Sequence, residues 1–286
     1  INNVLKEIGL EGADAFDKAL LLNALGKIEA AEHSDEYKGI IARELEKLIQ
    51  DNTISMGENN LVNFMYGNAC YSVGKNETAV NIAKQTETQP RNEAEYFTDD
   101  SGNKCLCTAF KALSFYMNYE TKDGGKEHYN DIIAQYNALY NDCFEDVSKA
   151  AREGDSKAVK ALAFFAAGAV DTLEVMDQAL YEIFARIREM YKAAVSVLND
   201  TIDNTDSQFV KLIYAYAVMK GCRMKLIQTE KYAAKAEDIF GKATDKHVAD
   251  KSDITGTASY VMAYSEYIRN REYQDYGRIN GGVLWN

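Results

Sequence analysis

The amino-acid sequence predicts an all-α protein, and more specifically an (α/α)6 barrel, a toroid of six inner and six outer helices. Pro90 is the only proline among 286 residues, whereas proline normally makes up about 5% of a chain and is excluded from helix interiors. Amphipathic and more uniformly apolar segments also alternate along the chain. Their spacing suits one helical hairpin per repeat.

The amphipathic segments show the repeat most clearly. Four begin with a turn followed by Tyr37, Tyr129, Tyr181 or Tyr232, and a fifth, after Gly74, lacks the tyrosine. Successive starts lie about 42 to 52 residues apart, as expected for a helix pair per repeat. Because charged residues cover one face of each segment, we predict that these helices form the outer layer. They span residues 35–50, 76–88, 127–141, 177–198 and 229–240.

The segments between them are apolar on most faces and are therefore predicted to form the inner layer. They span residues 13–31, 60–73, 104–119, 156–173, 207–224 and 255–268. A short helix at 2–8 would bring the total close to six hairpins in one domain covering 1–286. Helices of one layer start at the same end, so the loops before the inner helices should surround a pocket. The alternative is an open superhelix, which would bind a peptide along its concave face.

The charge of the chain excludes two classes of partner. Its 32 Lys and Arg face 44 Asp and Glu, a net charge of −12, which repels phosphate backbones, so no nucleic acid partner is expected. No stretch of 18 uncharged apolar residues occurs, and no membrane contact is expected. A monomer or weak homodimer is predicted. The chain begins at Ile1, so we expect that a signal peptide or tag preceded it, which leaves cytoplasmic and periplasmic locations both open.

Cysteine and histidine spacing argues against a metal site or cofactor. The five cysteines, at positions 70, 105, 107, 143 and 222, lack the spacing of a zinc site and are predicted to be reduced core residues. Cys105 and Cys107 would point to different faces of a helix. His33, His128 and His247 lie far from one another in sequence. We therefore predict no metal and no cofactor.

Several segments resemble glycoside hydrolase families 88 and 105, the unsaturated glucuronyl and rhamnogalacturonyl hydrolases. The most specific run is Gln89-Pro90-Arg91, Tyr96-Phe97, Phe115-Tyr116-Met117, Gly125 and Tyr129. It is similar to a family run in which Gln-Pro-Arg precedes a Gly-Phe-Trp-His-Lys loop and a Trp-x-Asp-Gly-Leu-Tyr-Met helix. Residues 13–25, 170–174, 214–221 and 255–266 resemble family inner helices in the same order. The resemblance covers nearly the whole chain.

That resemblance implies an (α/α)6 barrel acting in pectin or glycosaminoglycan breakdown. The implied partner is a short acidic oligosaccharide that ends in an unsaturated uronic acid. Family members hydrate its 4,5 double bond with an aspartate as general acid and base, after which the glycosidic bond is lost. No cofactor is implied.

The catalytic positions depart from the family pattern. Leu113 stands where the resemblance places the catalytic aspartate, and Glu58 is the carboxylate nearest the second family aspartate, around 59–63. The family's Trp-Gly-Arg-x-Asn-Gly-Trp segment falls on 158–164. Leucine cannot transfer a proton. Two hypotheses remain: a hydrolase whose loops supply a new acid, and a non-catalytic carbohydrate-binding or scaffolding barrel.

Asp99 and Asp100 are the candidate catalytic residues because they lie in the loop before the third inner helix. Paired carboxylates can split their pKa values and act as acid and base. The alternative is that Asp99-Asp100-Ser101-Gly102 is a turn with a helix cap.

Four further residues are candidates for substrate binding. Lys160 and Phe164 replace the arginine and a tryptophan of the family segment, and Lys211 lies where the family has a small polar residue. A lysine inside the barrel would bind a uronic carboxylate, although lysines at helix starts also extend into solvent. Tyr116 is predicted to stack on a sugar ring, with a role in the core as the alternative.

Overall fold

Eleven α-helices make up most of the chain that the computed structural model describes, namely residues 10, 12–51, 54, 60–98, 102, 104–177, 179–246 and 253–279. A π-helical turn, Ala109–Leu113, leads directly into α5, and a 3₁₀ turn, Lys84–Glu87, follows α4. The helices are α1 (Ala15–Glu32), α2 (Lys38–Gln50), α3 (Leu61–Ser72), α4 (Asn76–Ala83), α5 (Ser114–Lys122), α6 (Tyr129–Arg152), α7 (Ser156–Val175), α8 (Tyr181–Thr201), α9 (Gln208–Arg223), α10 (Thr229–Lys246) and α11 (Ile254–Ile279).

The odd-numbered helices form a closed inner ring. Each packs against the next in the order α1, α3, α5, α7, α9 and α11, and α11 packs against α1. The even-numbered helices lie outside, each against the inner helix that precedes it in the chain. This arrangement confirms the predicted (α/α)6 barrel, and the short helix predicted at 2–8 lies outside the described residues. The contact between α1 and α11 excludes the open superhelix.

Burial explains the division into layers. On outer helix α2 the buried side chains are Ile41, Leu45 and Leu48, which share one face at intervals of four and three residues. On inner helix α9 the residues from Leu212 to Cys222 are all buried, so this helix is enclosed on every side. Burying each large apolar side chain contributes about 1.5–3 kcal/mol.

Five of the six inner helices start at a side-chain cap. Five cap residues accept a hydrogen bond from a backbone N–H two or three positions further on, as Ser, Asp and Asn caps commonly do. They are Asp14, Asn60, Asp155, Ser207 and Asp253. We call the end of the barrel where the inner helices start the front, and the opposite end the rear.

The cysteine prediction is wrong in one respect. Cys105 and Cys107 form a disulfide, with their Cα atoms 5.1 Å apart. We expected a helix from residue 104, but residues 104–107 form an irregular turn and helical structure begins after it. The side chains therefore approach each other as they would not on a helix. Cys70, Cys143 and Cys222 are free and buried, as predicted.

Within the described residues, every helix is either too short or too polar to span a lipid bilayer.

Candidate functional site

A cavity of about 290 Å³ opens at the front of the barrel, where the sequence predicts a pocket. It is formed by the start of α1, the segment from the disulfide to the π-helical turn, and the first three turns of α7. Its size is close to the lower end of small-molecule sites, about 300–1,000 Å³. The lining residues are Phe16, Cys105, Cys107, Lys111, Lys157, Lys160, Ala161 and Phe164.

Phenylalanine rings fill the centre of the front end. The ring centroid of Phe164 lies 5.8 Å from that of Phe16, 5.1 Å from that of Phe110 and 5.7 Å from that of Phe209. These rings come from four different inner helices or their first turns. Phe16, which is half-buried, and Phe164, which is 4% exposed, also line the cavity and form its floor.

Three lysines surround that floor. Lys157 and Lys160 follow each other by three residues on α7 and therefore share a face, and both are exposed. The Lys160 Nζ atom lies 5.8 Å from the Phe164 centroid and 5.6 Å from the Phe209 centroid. Lys111 Nζ lies 5.7 Å from the centroid of Phe16. Together they make a cationic rim around an aromatic surface.

The described lining of this cavity contains no carboxylate. Leu113, at the catalytic position implied by the resemblance, is fully buried in the core. The candidate acids Asp99 and Asp100 lie outside the described residues. No group of three His, Cys, Asp or Glu side chains in the described part of the chain is arranged to hold a metal ion.

Of the four predicted binding residues, the structure brings Lys160 and Phe164 together in the front cavity. Lys211 is half-buried on α9 and does not line that cavity; with Lys235, it contributes to lowering the pKa of Asp203. Sequence reasoning missed Lys111, Lys157 and Phe16. A signal for Lys157 was present, since it precedes Lys160 by one helical turn.

Tyr116 lies elsewhere, on the side of the barrel between α5 and α6. It is buried and hydrogen-bonded to Asp131, which also binds Arg91 through two bonds of 2.7 and 2.8 Å. Burial, together with the nearby charge of Asp131, raises the pKa of Tyr116. Burial alone would raise the pKa of Asp131, but its bonds to Arg91 and Gln135 hold it below the usual range. The tyrosine thus helps to fix α6 to the loop at Arg91.

A second polar region, at the rear of the barrel, joins four inner helices. Lys220 Nζ lies 2.5 Å from both Asp171 Oδ1 and Glu174 Oε2, and Lys27 Nζ lies 3.0 Å from Asp171 Oδ2. Tyr216 also donates a hydrogen bond to Asp171. These side chains are contributed by α1, α7 and α9.

The same region continues toward α11. Arg223 binds Glu174 at 2.6 Å and Glu266 at 2.7 Å, while Arg269 binds Glu174 at 3.0 Å. Burial alone would raise the pKa of Glu174, but Lys220, Arg223 and Arg269 hold it far below the usual range. Glu174 is therefore ionised and held by three cations. We call Lys27, Asp171, Glu174, Lys220, Arg223, Glu266 and Arg269 the rear cluster.

Structure comparison identifies two glycoside hydrolases of similar fold. A family 105 glycoside hydrolase from Clostridium acetobutylicum ATCC 824 superposes with a TM-score of 0.69 at 15% identity, covering 93% of this chain and 98% of that one. A possible family 105 member from Salmonella enterica subsp. enterica serovar Paratyphi A str. ATCC 9150 superposes with a TM-score of 0.71 at 11% identity, covering 90% and 83%. At this identity the likeness establishes the shared fold.

No protein-family model matches the sequence, and neither does any curated protein.

Proposed function

We propose that this chain is a carbohydrate-binding barrel that holds a short acidic oligosaccharide in its front cavity without hydrating it. One observation carries the proposal: the described lining of the cavity combines phenylalanine rings with three lysines and contains no carboxylate. The fold shared with family 105 glycoside hydrolases supports a carbohydrate ligand. The aromatic floor and cationic rim support an acidic one.

Each part of the cavity matches one part of such a sugar. The C–H face of a pyranose ring is apolar and packs on the half-buried ring of Phe16 and on the part of Phe164 that borders the cavity. The carboxylates of uronic acids pair with Lys111, Lys157 and Lys160. A charged hydrogen bond contributes about 1.5–3 kcal/mol when shielded from water, and less at an exposed rim such as that of Lys157 and Lys160.

The helix termini add to this preference for anions. Partial positive charge gathers at the N-terminal end of a helix, and all the inner helices start at the front. An acidic ligand in the cavity therefore meets the favourable end of α1 and α7 as well as the lysines. A chain with a net charge of −12 presents a locally positive site at this point.

Hydration of an unsaturated uronic acid needs a group that donates and accepts a proton at the double bond. Leu113 cannot supply one and is enclosed in the core. The remaining candidates for this proton transfer are Asp99 and Asp100. The test below determines whether they take part in hydration.

The test measures binding and turnover with one ligand. An unsaturated galacturonyl disaccharide is titrated into the protein by calorimetry, and the ultraviolet absorbance of its double bond is followed at high protein concentration. We expect binding without loss of absorbance. Lys160→Gln should weaken binding about tenfold, which corresponds to about 1.4 kcal/mol. Lys242→Gln, an exposed lysine on outer helix α10, is the matched control and should bind as the parent does.

Two results would contradict the proposal. Loss of absorbance that disappears in Asp99→Asn or Asp100→Asn would establish the hydrolase instead. Absence of binding, or equal binding by the parent and Lys160→Gln, would remove the front cavity as the carbohydrate site.

A further inference from the structure

The rear of the barrel contains a second cavity, of about 250 Å³. Lys160 at the front and Glu174 at the rear lie 14 positions apart on α7, so about 21 Å of helix separates the two cavities. The rear cavity is lined by α1, α3, α5, α7, α9 and α11 toward their C-terminal ends, and it opens over part of the rear cluster.

The rear cavity carries a surplus of positive charge. Four cationic side chains line it, against three carboxylates. The cations are Lys27, Lys122, Lys220 and Arg269, and the carboxylates are Asp171, Glu174 and Glu266. One positive charge is thus left over among the described lining residues. The surplus stands out in a chain with a net charge of −12.

Lys122 is the cation that accounts for the surplus. The other three lining cations each bind at least one of the three carboxylates, whereas no ion pair with Lys122 is found among the described residues. Its Nζ atom lies 4.5 Å from the ring centroid of Tyr71. Partial burial lowers the pKa of Lys122, opposed in part by Asp123. Lys122 is nevertheless exposed to solvent, so a carboxylate that enters the cavity can reach the ammonium group and offset its partial loss of hydration.

Asn118 provides a second, independent observation. It precedes Lys122 by four residues on α5 and therefore shares its face. Its side chain lines the cavity, is 7% exposed, and donates through Nδ2 to Asn68 Oδ1 at 2.9 Å. The Asn118 Oδ1 atom has no hydrogen-bond partner within the described structure. Buried acceptors are normally satisfied, so this oxygen is suited to a hydroxyl donor from a ligand.

We propose that the rear cavity binds a small hydroxylated monocarboxylate the size of a single sugar acid. Its carboxylate neutralises the surplus charge at Lys122, and one hydroxyl donates to Asn118. Its other hydroxyls bind the ion pairs of the cavity wall, because a hydroxyl both donates to a carboxylate such as Asp171 and accepts from an ammonium group such as Lys27.

The test separates the rear cavity from the front one. Galacturonate is titrated by calorimetry into a chain carrying Lys157→Gln and Lys160→Gln, two exposed front lysines, so that binding at the front is weakened. Galactose tests the need for the carboxylate, and acetate tests the need for the hydroxyls. We expect galacturonate to bind at least tenfold more tightly than either.

Variants of Lys122 then locate the ligand. Lys122→Met should reduce galacturonate affinity at least tenfold, and Lys122→Arg, which keeps the charge, should retain most of it. Circular dichroism confirms that each variant is folded. The proposal is overturned if galacturonate does not bind at millimolar concentration, if galactose binds equally well, or if Lys122→Met binds as its parent does. Front binding of the disaccharide is measured separately, so either proposal can fail alone.

Discussion

Replacing Lys220 with methionine tests whether the rear cluster holds the inner ring together. Lys220 is 1% exposed, and its ammonium group contacts Asp171, Glu174 and the Tyr216 hydroxyl, at 2.5, 2.5 and 3.0 Å. Lys220→Met keeps an unbranched side chain that is one atom shorter and removes its charge, so two carboxylates lose a shared partner. Breaking a buried ion pair in this way costs about 3–5 kcal/mol.

That loss converts into a measurable change in melting temperature. Unfolding entropy near 60 °C is about 2.1 cal/mol/K per residue, so a chain of this length gains about 0.6 kcal/mol/K and the expected decrease is about 5–8 °C. Far-ultraviolet circular dichroism during heating, together with urea unfolding, measures it. The control is Lys242→Met, which removes an exposed partner of Asp238 on α10 and should leave the melting temperature unchanged. Equal stability of the two variants would refute the reasoning.

The pH dependence supplies a second check on the same variant. In the parent, burial alone would raise the pKa of Asp171, but Lys220 and Lys27 hold it below the usual range. Its contribution to stability is therefore complete above the pKa of the unfolded chain and is lost as the pH falls toward the lower, folded value. Without Lys220 only Lys27 and Tyr216 still offset the burial of Asp171, so its pKa in the folded variant rises and it takes up a proton more readily. The difference in unfolding free energy between parent and variant should thus shrink from pH 7 to pH 5.

Three further predictions concern packing and the disulfide. Gly168→Ala should destabilise the fold by about 1–3 kcal/mol, because a Cβ there would lie 2.3 Å from the backbone of the π-helical turn. The control Gly241→Ala on α10, where the space is open, should stabilise the fold by up to about 1 kcal/mol. Equal urea midpoints for the two variants would contradict this prediction. Leu113→Asp should lower the free energy of unfolding by about 3–5 kcal/mol, because it places an uncompensated charge in the core, and it should restore no turnover. A stable variant with turnover would disprove the assignment of this position to the core. Mass spectrometry after alkylation in denaturant without reductant should find three labelled cysteines, and after reduction five; five labels in both cases would exclude the bond between Cys105 and Cys107.

The barrel was predictable from the sequence because its two layers differ in hydrophobic pattern along the whole chain. Each outer helix has one apolar face, and each inner helix is apolar on nearly all faces. Because this alternation is repeated five times, an error at the end of a single helix does not change the predicted architecture. The front pocket follows from the same logic, since it lies where the inner helices start. Lys160 and Phe164 meet there because both project from one face of α7.

Two features of the front cavity escaped prediction because the backbone departs from a regular helix. Ala109–Leu113 forms a π-helical turn, which changes the faces that α-helical spacing would assign. Lys111 therefore borders the cavity instead of following the pattern of α5. The irregular turn before it allows Cys105 and Cys107 to pair. Neither departure from a regular helix is visible in the hydrophobic periodicity of the sequence.

The rear cluster was missed for a different reason, since its signal is present but divided among helices. Asp171 and Glu174 are three residues apart on α7, Lys220 and Arg223 on α9, and Glu266 and Arg269 on α11. The pairs on α7 and α9 stand among buried apolar residues, where an unpartnered charge would be very costly. Side chains of opposite charge on neighbouring inner helices are therefore expected to pair once the order of the helices in the ring is known.

The helix termini give the two ends of the barrel different roles toward an anion. At the front, the N-terminal ends and the lysines both attract a carboxylate. At the rear, the C-terminal ends are partially negative, and part of the cationic surplus offsets them. We therefore expect a single sugar acid to bind more weakly at the rear than a disaccharide with two carboxylates binds at the front. Raising the salt concentration should weaken front binding more strongly, because two carboxylates pair there with lysines that ions screen, whereas the rear ligand has one carboxylate.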